Sequence, residues 1–156
     1  MQSLPKHGSC FVCGSLNSPG MGVTWYVDDE GMIFAEVTLN DAQQGPPGFA
    51  HGGASAALLD EAMGAAVWLA GYRVASVNLN ISYRKPVPLG QPFKVTAQVN
   101  ERNGKKVTAV GEIRLADGTL AVSGEGIFVQ APQLFNGLGA GSSPADEAME
   151  IRGTEK

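Results

Sequence analysis

Histidine, cysteine and aromatic residues are scarce in this chain. Two histidines, His7 and His51, and two cysteines, Cys10 and Cys13, occur in 156 residues, and aromatics make up 7%. Two cysteines cannot build the dense disulfide framework of a small secreted domain. With His7 they form a His-x-x-Cys-x-x-Cys run, which is half a zinc site. No second cysteine pair follows and the remaining histidine is His51, so four tetrahedral ligands are hard to find in one chain. A thioredoxin-like redox pair belongs between a strand and a helix, and nothing around "HGSCFVCG" looks like that. The two cysteines are expected to serve packing, with no metal bound.

Long apolar runs are also missing. The longest, Ala62 to Gly71, falls well short of the roughly 18 residues of a membrane span. "MQSLPKHGSCFVCG" carries one lysine and no apolar stretch of the secretory type, so a cytoplasmic address is expected. An excess of positive charge is absent too: the formal net charge is −4, which argues against a general nucleic-acid-binding domain. The charge is unevenly spread. Between Arg73 and Lys106 stand seven basic residues against Glu101 alone, a local +6. Such a segment suits either a small polyanionic ligand or a solvated sheet edge guarded by lysines.

The length suits one domain with a real core. Residues 1–20 are rich in Gly, Pro, Ser and Asn and read as an irregular arm. "GVTWYV" (22–27) and "MIFAEVTL" (32–39) read as strands joined by the turn "DDEG". "NDAQQGPPGFAHG" is a loop, broken by glycines and by Pro46-Pro47. A helix is predicted from about Gly53 to Ala70, apolar nearly all round and therefore central and buried. "ASVNLNISY" alternates cleanly: Ala75, Val77, Leu79, Ile81 and Tyr83 on one face, Ser76, Asn78, Asn80 and Ser82 on the other. Three more strands follow, with hairpin turns at Asn103-Gly104 and Asp117-Gly118. This predicts an α+β domain over 21–132, in which one antiparallel sheet curls round one helix. Residues 133–156 are polar and Gly/Ser-rich, and a disordered tail is expected there.

The helix entrance, "HGG" at 51–53, and the acids Asp60 and Glu61 raise the chemical question. Helix N-termini carry unpaired N–H groups and a partial positive charge. Glycines there leave donors open to a carbonyl oxygen that becomes negative, or they supply backbone freedom and nothing more. Asp60 lies among Ala56, Ala57, Met63 and Gly64, with room for a substrate beside its carboxylate. It can take a proton or attack a carbon. It can also pair with the Asn78/Asn80 face, or Glu61 can be the acid that matters. Gly52 and Asp60 are eight residues apart, about 12 Å at roughly 1.5 Å per residue. One chain cannot place both on one carbonyl, so an active site here needs a twofold partner.

"QGPPGFAHGG", "ALLDEAMG" and "VNLNISYRKPVPLG" together resemble the hotdog-fold acyl-CoA thioesterases of the phenylacetate-pathway type. They are also similar to the long-chain acyl-CoA thioesterases of the thioesterase-superfamily-member group. The likeness covers roughly Cys10 to Gln130. It implies a hotdog fold, a curved antiparallel sheet around one long central helix, assembled as a homodimer or homotetramer. It implies hydrolysis of an acyl-CoA to free acid and coenzyme A without metal or cofactor, coenzyme A being part of the substrate. Asp60 falls on the family's general base or nucleophile, Gly52 on its oxyanion amide, and His51 beside it helps place the carbonyl. Ser76 falls on a hydroxyl that helps hold the water, expected from the partner subunit. Relatives carry Asn or Gln six residues before the histidine; Gly45 stands there, and the role passes to Gln44. Gly53, Arg84, Lys85, Lys105 and Lys106 are the substrate-binding candidates, the basic ones for coenzyme A phosphates. Two other readings of the same pocket are an acyl-CoA-binding module without turnover and a hotdog enoyl-CoA hydratase or dehydratase.

Overall fold

The structure, a computed structural model, describes residues 1–135. The expected tail over 133–156 lies mostly outside that range. Seven strands and one long helix follow in the order β1 (Gln2–Ser3), β2 (Tyr26–Val27), β3 (Ile33–Val37), α1 (Gly52–Leu69), β4 (Val74–Tyr83), β5 (Phe93–Asn103), β6 (Lys106–Leu115) and β7 (Leu120–Gln130). They form one antiparallel sheet in the order β1-β2-β3-β5-β6-β7-β4. The two hairpins read from sequence close where expected, with Gly104 and Gly118 at positive φ and Asp117 accepting from the Thr119 amide at 2.9 Å. Among the described residues no helix is long and apolar enough to cross a membrane.

The first expected strand is much shorter than its sequence suggested. Only Tyr26–Val27 pairs in the sheet. Upstream, Val23 N–H donates to Val12 O, and Trp25 O accepts from Leu4 N–H. The arm therefore claims the backbone groups that a longer strand would have offered to the sheet. Residues 1–20 are not a loose appendage: Val12 and Cys13 are buried in the core.

The helix lies on the sheet through Leu58, Leu59, Ala62, Met63, Ala66 and Val67, all buried. Glycines in the strands beneath make room for it. A Cβ on Gly111 would come within 3.0 Å of Leu59 Cδ2, and one on Gly126 within 3.3 Å of Met63 Cε. The helix is less enclosed than its composition predicted. Ala56, Ala57, Asp60, Glu61, Gly64 and Trp68 are only half-buried. The sheet covers one side of α1, and on another side small residues surround a half-buried Asp60.

β4 lies at the end of the sheet with β7 as its one neighbour. Its outer residues Val77 and Leu79 are exposed. The register against β7 slips between Ser76 and Asn78, so Val77 is an extra residue, a β-bulge. Ser76 pairs with Phe128, whereas Leu79 and Ile81 pair with Gly126 and Gly124. All three β7 partners contact the helix layer, so the bulge carries Ser76 to the helix side of the sheet. Strict alternation had put it on the opposite face.

Candidate active site

The loop before α1 is built by tight backbone bonds. Asn40 caps the short 3-10 turn Asp41–Gln43, accepting from Ala42 N–H, while the Gln43 side chain accepts from Asn40 N–H. Gln43 is buried, and its main-chain oxygen accepts from His51 N–H at 2.8 Å. Gln44, the sequence candidate, is exposed, and its Oε1 accepts from Gly48 N–H at 3.0 Å. The main chain that holds His51 is therefore that of Gln43. The Asn40-x-x-Gln43 spacing, a capping-box pattern, was the available signal for it. Gly45 has a steric reason to lack a side chain: its Cβ would sit 2.8 Å from His51 Cα.

His51 is the helix N-cap. Its Nδ1 accepts from Gly53 N–H at 2.9 Å, which places the ring proton of the neutral form on Nε2. The two glycine amides are thereby distinguished. Gly53 has spent its N–H on the His51 ring, and a Cβ there would lie 3.0 Å from His51 Nδ1. Gly52 N–H makes no hydrogen bond among the described residues and stands at the positive end of an 18-residue helix. Tyr83, which the sequence reading passed over, donates from its hydroxyl to Gly52 O at 2.8 Å and pins the first turn.

Two turns along α1, Asp60 Oδ1 accepts a 2.8 Å hydrogen bond from the Ser76 hydroxyl. Both residues belong to the same chain, where the sequence reading had looked to a partner for the serine. The Val77 bulge is the reason: it aims Ser76 at the helix of its own subunit. The Asn78/Asn80 pairing considered for Asp60 does not occur, since both asparagines point to the other face. Asp60 and Gly52 remain about 12 Å apart along the helix axis by roughly 1.5 Å per residue. Met63 and Val67, which could have lined an acyl pocket, are fully buried core. A cleft of about 660 Å³ lined by Thr38, Leu39, Asn40, Asp41, Leu89 and Gly90 contains none of the candidates.

The basic candidates fall into two groups. Arg84 and Lys85 are exposed where β4 ends, both donating their amides to Ala121 O, and the Arg84 side chain bonds to Ser123. Lys105 and Lys106 are exposed at the other end of the sheet, where Lys106 pairs with Val129 and Val129 with Ala75. Roughly 25 Å of strand separates the groups. Two other cations of the +6 segment lie over aromatic rings, Lys94 on Phe34 and Arg102 on Tyr72. The segment is thus not one patch.

Glu61 points away from Asp60, toward the arm. His7 Nδ1 lies 3.3 Å from Glu61 Oε1, Cys13 Sγ 3.0 Å and Cys10 Sγ 3.8 Å. Burial works against the Glu61 charge, but hydrogen bonds from His7 and Cys13 outweigh it and hold the carboxyl below its ordinary range. Burial, then the Glu61 carboxylate, pushes the Cys13 thiol well above its usual value. The sequence reading found no fourth partner for the His-x-x-Cys-x-x-Cys run; the fold supplies one from a residue 48 positions beyond Cys13.

Comparison with known proteins agrees with this architecture. The family described as the thioesterase superfamily matches residues 47–122. The chain is 40% identical over 78 residues to the acyl-coenzyme A thioesterase THEM4 of Xenopus laevis, covering 49% of this chain and 35% of that one. It is 35% identical over 88 residues to THEM4 of Bos taurus, covering 56% and 36%. It thus spans little more than a third of the length of these curated relatives. A solved thioesterase-superfamily protein superposes with a TM-score of 0.73 at 39% identity, over 77% of this chain and 62% of that one. The zebra fish thioesterase superfamily member 2 shares the fold, with a TM-score of 0.66 at 24% identity, over 74% and 89%. Motif, sheet order and matched segment agree: residues 47–122 are similar to the thioesterase superfamily, and the chain has the hotdog fold of these proteins.

Proposed function

We propose that this chain is an acyl-CoA thioesterase, hydrolysing an acyl-CoA to a free acid and coenzyme A. The observation that carries the reading is a half-buried Asp60 carboxylate on α1, held by Ser76. Asp60 takes a proton from a water that attacks the thioester carbonyl carbon, or attacks that carbon itself. The carbonyl oxygen, now negative, accepts from Gly52 N–H at the positive end of the other subunit's helix. In the first route collapse breaks the carbon–sulfur bond and Asp60 passes the proton to the coenzyme A thiolate. In the second, collapse expels the thiolate and leaves an acyl–Asp60 anhydride, which a water hydrolyses to the free acid and Asp60 while its protons go to the thiolate and solvent. Water and substrate suffice, and no cofactor takes part.

The same proposal makes the enzyme a homodimer in the cytoplasm, with homotetramers as pairs of that dimer. An unpaired β4 edge with Val77 and Leu79 exposed is a surface that demands a partner. Antiparallel pairing of two β4 strands lays the helices side by side in opposite directions, so Asp60 of one faces Gly52 of the other. It also brings Arg84 and Lys85 of one subunit to the end that carries Lys105 and Lys106 of its partner. That gives the two separated basic groups one polyphosphate to hold.

The test is thiol release from a panel of acyl-CoAs, acetyl to palmitoyl with phenylacetyl and 4-hydroxybenzoyl, for the wild type and Asp60→Asn. Release by the wild type, with a loss of about 10²-fold or more in a folded variant, is expected of a removed acid–base group. Full activity in the variant removes Asp60 from the mechanism, and tight binding without release makes the chain an acyl-CoA-binding module. A single turnover in labelled water separates the two routes, since label enters the Asp60 carboxylate only if it is the nucleophile.

A further inference from the structure

The arm reaches α1 through four side chains that the proposed hydrolysis does not use. His7 Nδ1, Cys10 Sγ, Cys13 Sγ and a Glu61 carboxylate oxygen all lie within 4.8 Å of one another. The closest approaches are Cys13 to Glu61 at 3.0 Å, Cys13 to His7 at 3.2 Å, His7 to Glu61 at 3.3 Å and Cys10 to Glu61 at 3.8 Å. Zinc binds sulfur at about 2.3 Å and imidazole nitrogen or carboxylate oxygen at about 2.0–2.2 Å, so a tetrahedral site has ligand–ligand edges of roughly 3.3–3.8 Å. The cluster has nearly those dimensions before any ion is placed in it.

The local backbone is shaped for the same purpose. Cys10 N–H donates to His7 O at 2.7 Å, and Gly14 N–H to Cys10 O at 3.0 Å, so the run coils into two consecutive tight turns. Val12 N–H donates to Cys10 Sγ at 3.4 Å, a bond to sulfur that supports thiolate character. Gly14 admits no side chain, because its Cβ would lie 2.5 Å from Cys10 N and O. That glycine closes the turn that sets both sulfurs on one side.

We propose that His7, Cys10, Cys13 and Glu61 form a structural zinc site that fastens the N-terminal arm to the central helix. Two thiolates, one imidazole and one carboxylate are a mixed soft and borderline donor set that suits zinc at tetrahedral geometry. Four protein ligands fill the coordination sphere, so the ion offers no open position to a substrate and acts as a staple. Both cysteine sulfurs bind as thiolates, and their protons leave to solvent. The staple has a structural task. The arm has only the two-residue strand β1 as regular structure, yet it inserts Val12 and Cys13 into the core. It is tied to the residue next to Asp60, so the ion would also fix that turn of α1. The site revises the expectation of a metal-free chain, and it stands whether or not the chain proves to be a thioesterase.

The untagged full chain, stripped with a chelator under reducing conditions, is titrated with Zn²⁺ against a chromophoric chelator and separately with Co²⁺. The expected result is about one zinc per chain, and a cobalt form with the strong visible bands of a tetrahedral ion and a thiolate-to-metal charge-transfer band. Cys10→Ser and Glu61→Gln should each weaken binding at least tenfold while the circular dichroism stays that of a folded chain. These two positions are less buried than Cys13, so folding does not confound the reading. Failure to compete with the chelator, a cobalt spectrum without the thiolate band, or unchanged affinity in Glu61→Gln would each overturn the proposal.

Discussion

The Ser76 hydroxyl reaches Asp60 Oδ1 at 2.8 Å because β4 carries one residue too many at Val77. The bulge turns the serine toward the helix, and the helix presents the aspartate at its midpoint. A hydrogen bond to a carboxylate contributes about 1.5–3 kcal/mol.

Ser76→Ala should lower kcat, by about tenfold for each 1.36 kcal/mol by which this bond strengthens in the transition state. KM for the acyl-CoA should stay near the wild-type value, because the serine touches the acid and not the bulk of the substrate. Steady-state kinetics on the best substrate of the panel measures both. An unchanged kcat would mean that the serine only packs.

Gly52→Pro removes the proposed oxyanion donor and keeps the helix start. Its Cβ would lie 3.3 Å from the Tyr83 hydroxyl, which has to give by a few tenths of an ångström. Position 52 is the first helical residue, where proline is well tolerated. His51 before it already has the extended backbone (φ −61, ψ 139) that a following proline requires. Loss of one oxyanion donor costs about 10²–10³ in kcat. Circular dichroism should show the helix retained while thiol release falls by that factor.

The two halves of the site can be separated genetically. Asp60→Asn and Gly52→Pro chains are each inactive as homodimers. Unfolded together and refolded, they form mixed dimers in which one of two sites has both an intact Asp60 and an intact Gly52. Random pairing restores about a quarter of the wild-type activity for a twofold enzyme with shared sites. No recovery would show that each chain builds its site alone.

Gly45→Ala should be costly although it touches no reacting group. The new methyl would lie 2.8 Å from His51 Cα, a backbone atom that cannot step aside alone. Overpacking of this kind costs about 1–3 kcal/mol, which lowers the melting temperature by roughly 2–10 °C in a domain of this size. Differential scanning calorimetry measures it. The displaced histidine should also cut activity.

Much of this was legible in the chain because it is local. The helix, the two Gly-centred hairpins and the acid at position 60 follow from spacing and turn chemistry. Ser76 was placed on the face away from the helix, because period-two alternation has no means of registering a single inserted residue such as Val77. Gln44 stands out as the neighbour of Gly45, and Gln43 goes unconsidered, because counting back from His51 gives no sign of the 3-10 turn that buries Gln43. Glu61 was never considered a partner for Cys10 and Cys13. No local pattern announces a contact across 48 residues, and the irregular arm gave no periodicity from which to dock it. The +6 segment misled in the same way, since neighbours in sequence stand at opposite ends of one strand.

Asp60 and Glu61 are consecutive, so they diverge by about 100° round α1, one toward Ser76 and one toward the arm. Add the sheet-facing leucines and the amide at Gly52, and every side of this helix has an assignment. Sliding or rotating α1 by a single residue would break all of them together. The helix is therefore the part of the molecule least free to change without loss of the other assignments. Diversification has to work through the surrounding loops, the arm and the free strand. An engineer who wants a different substrate should randomise those segments and leave residues 51–69 alone.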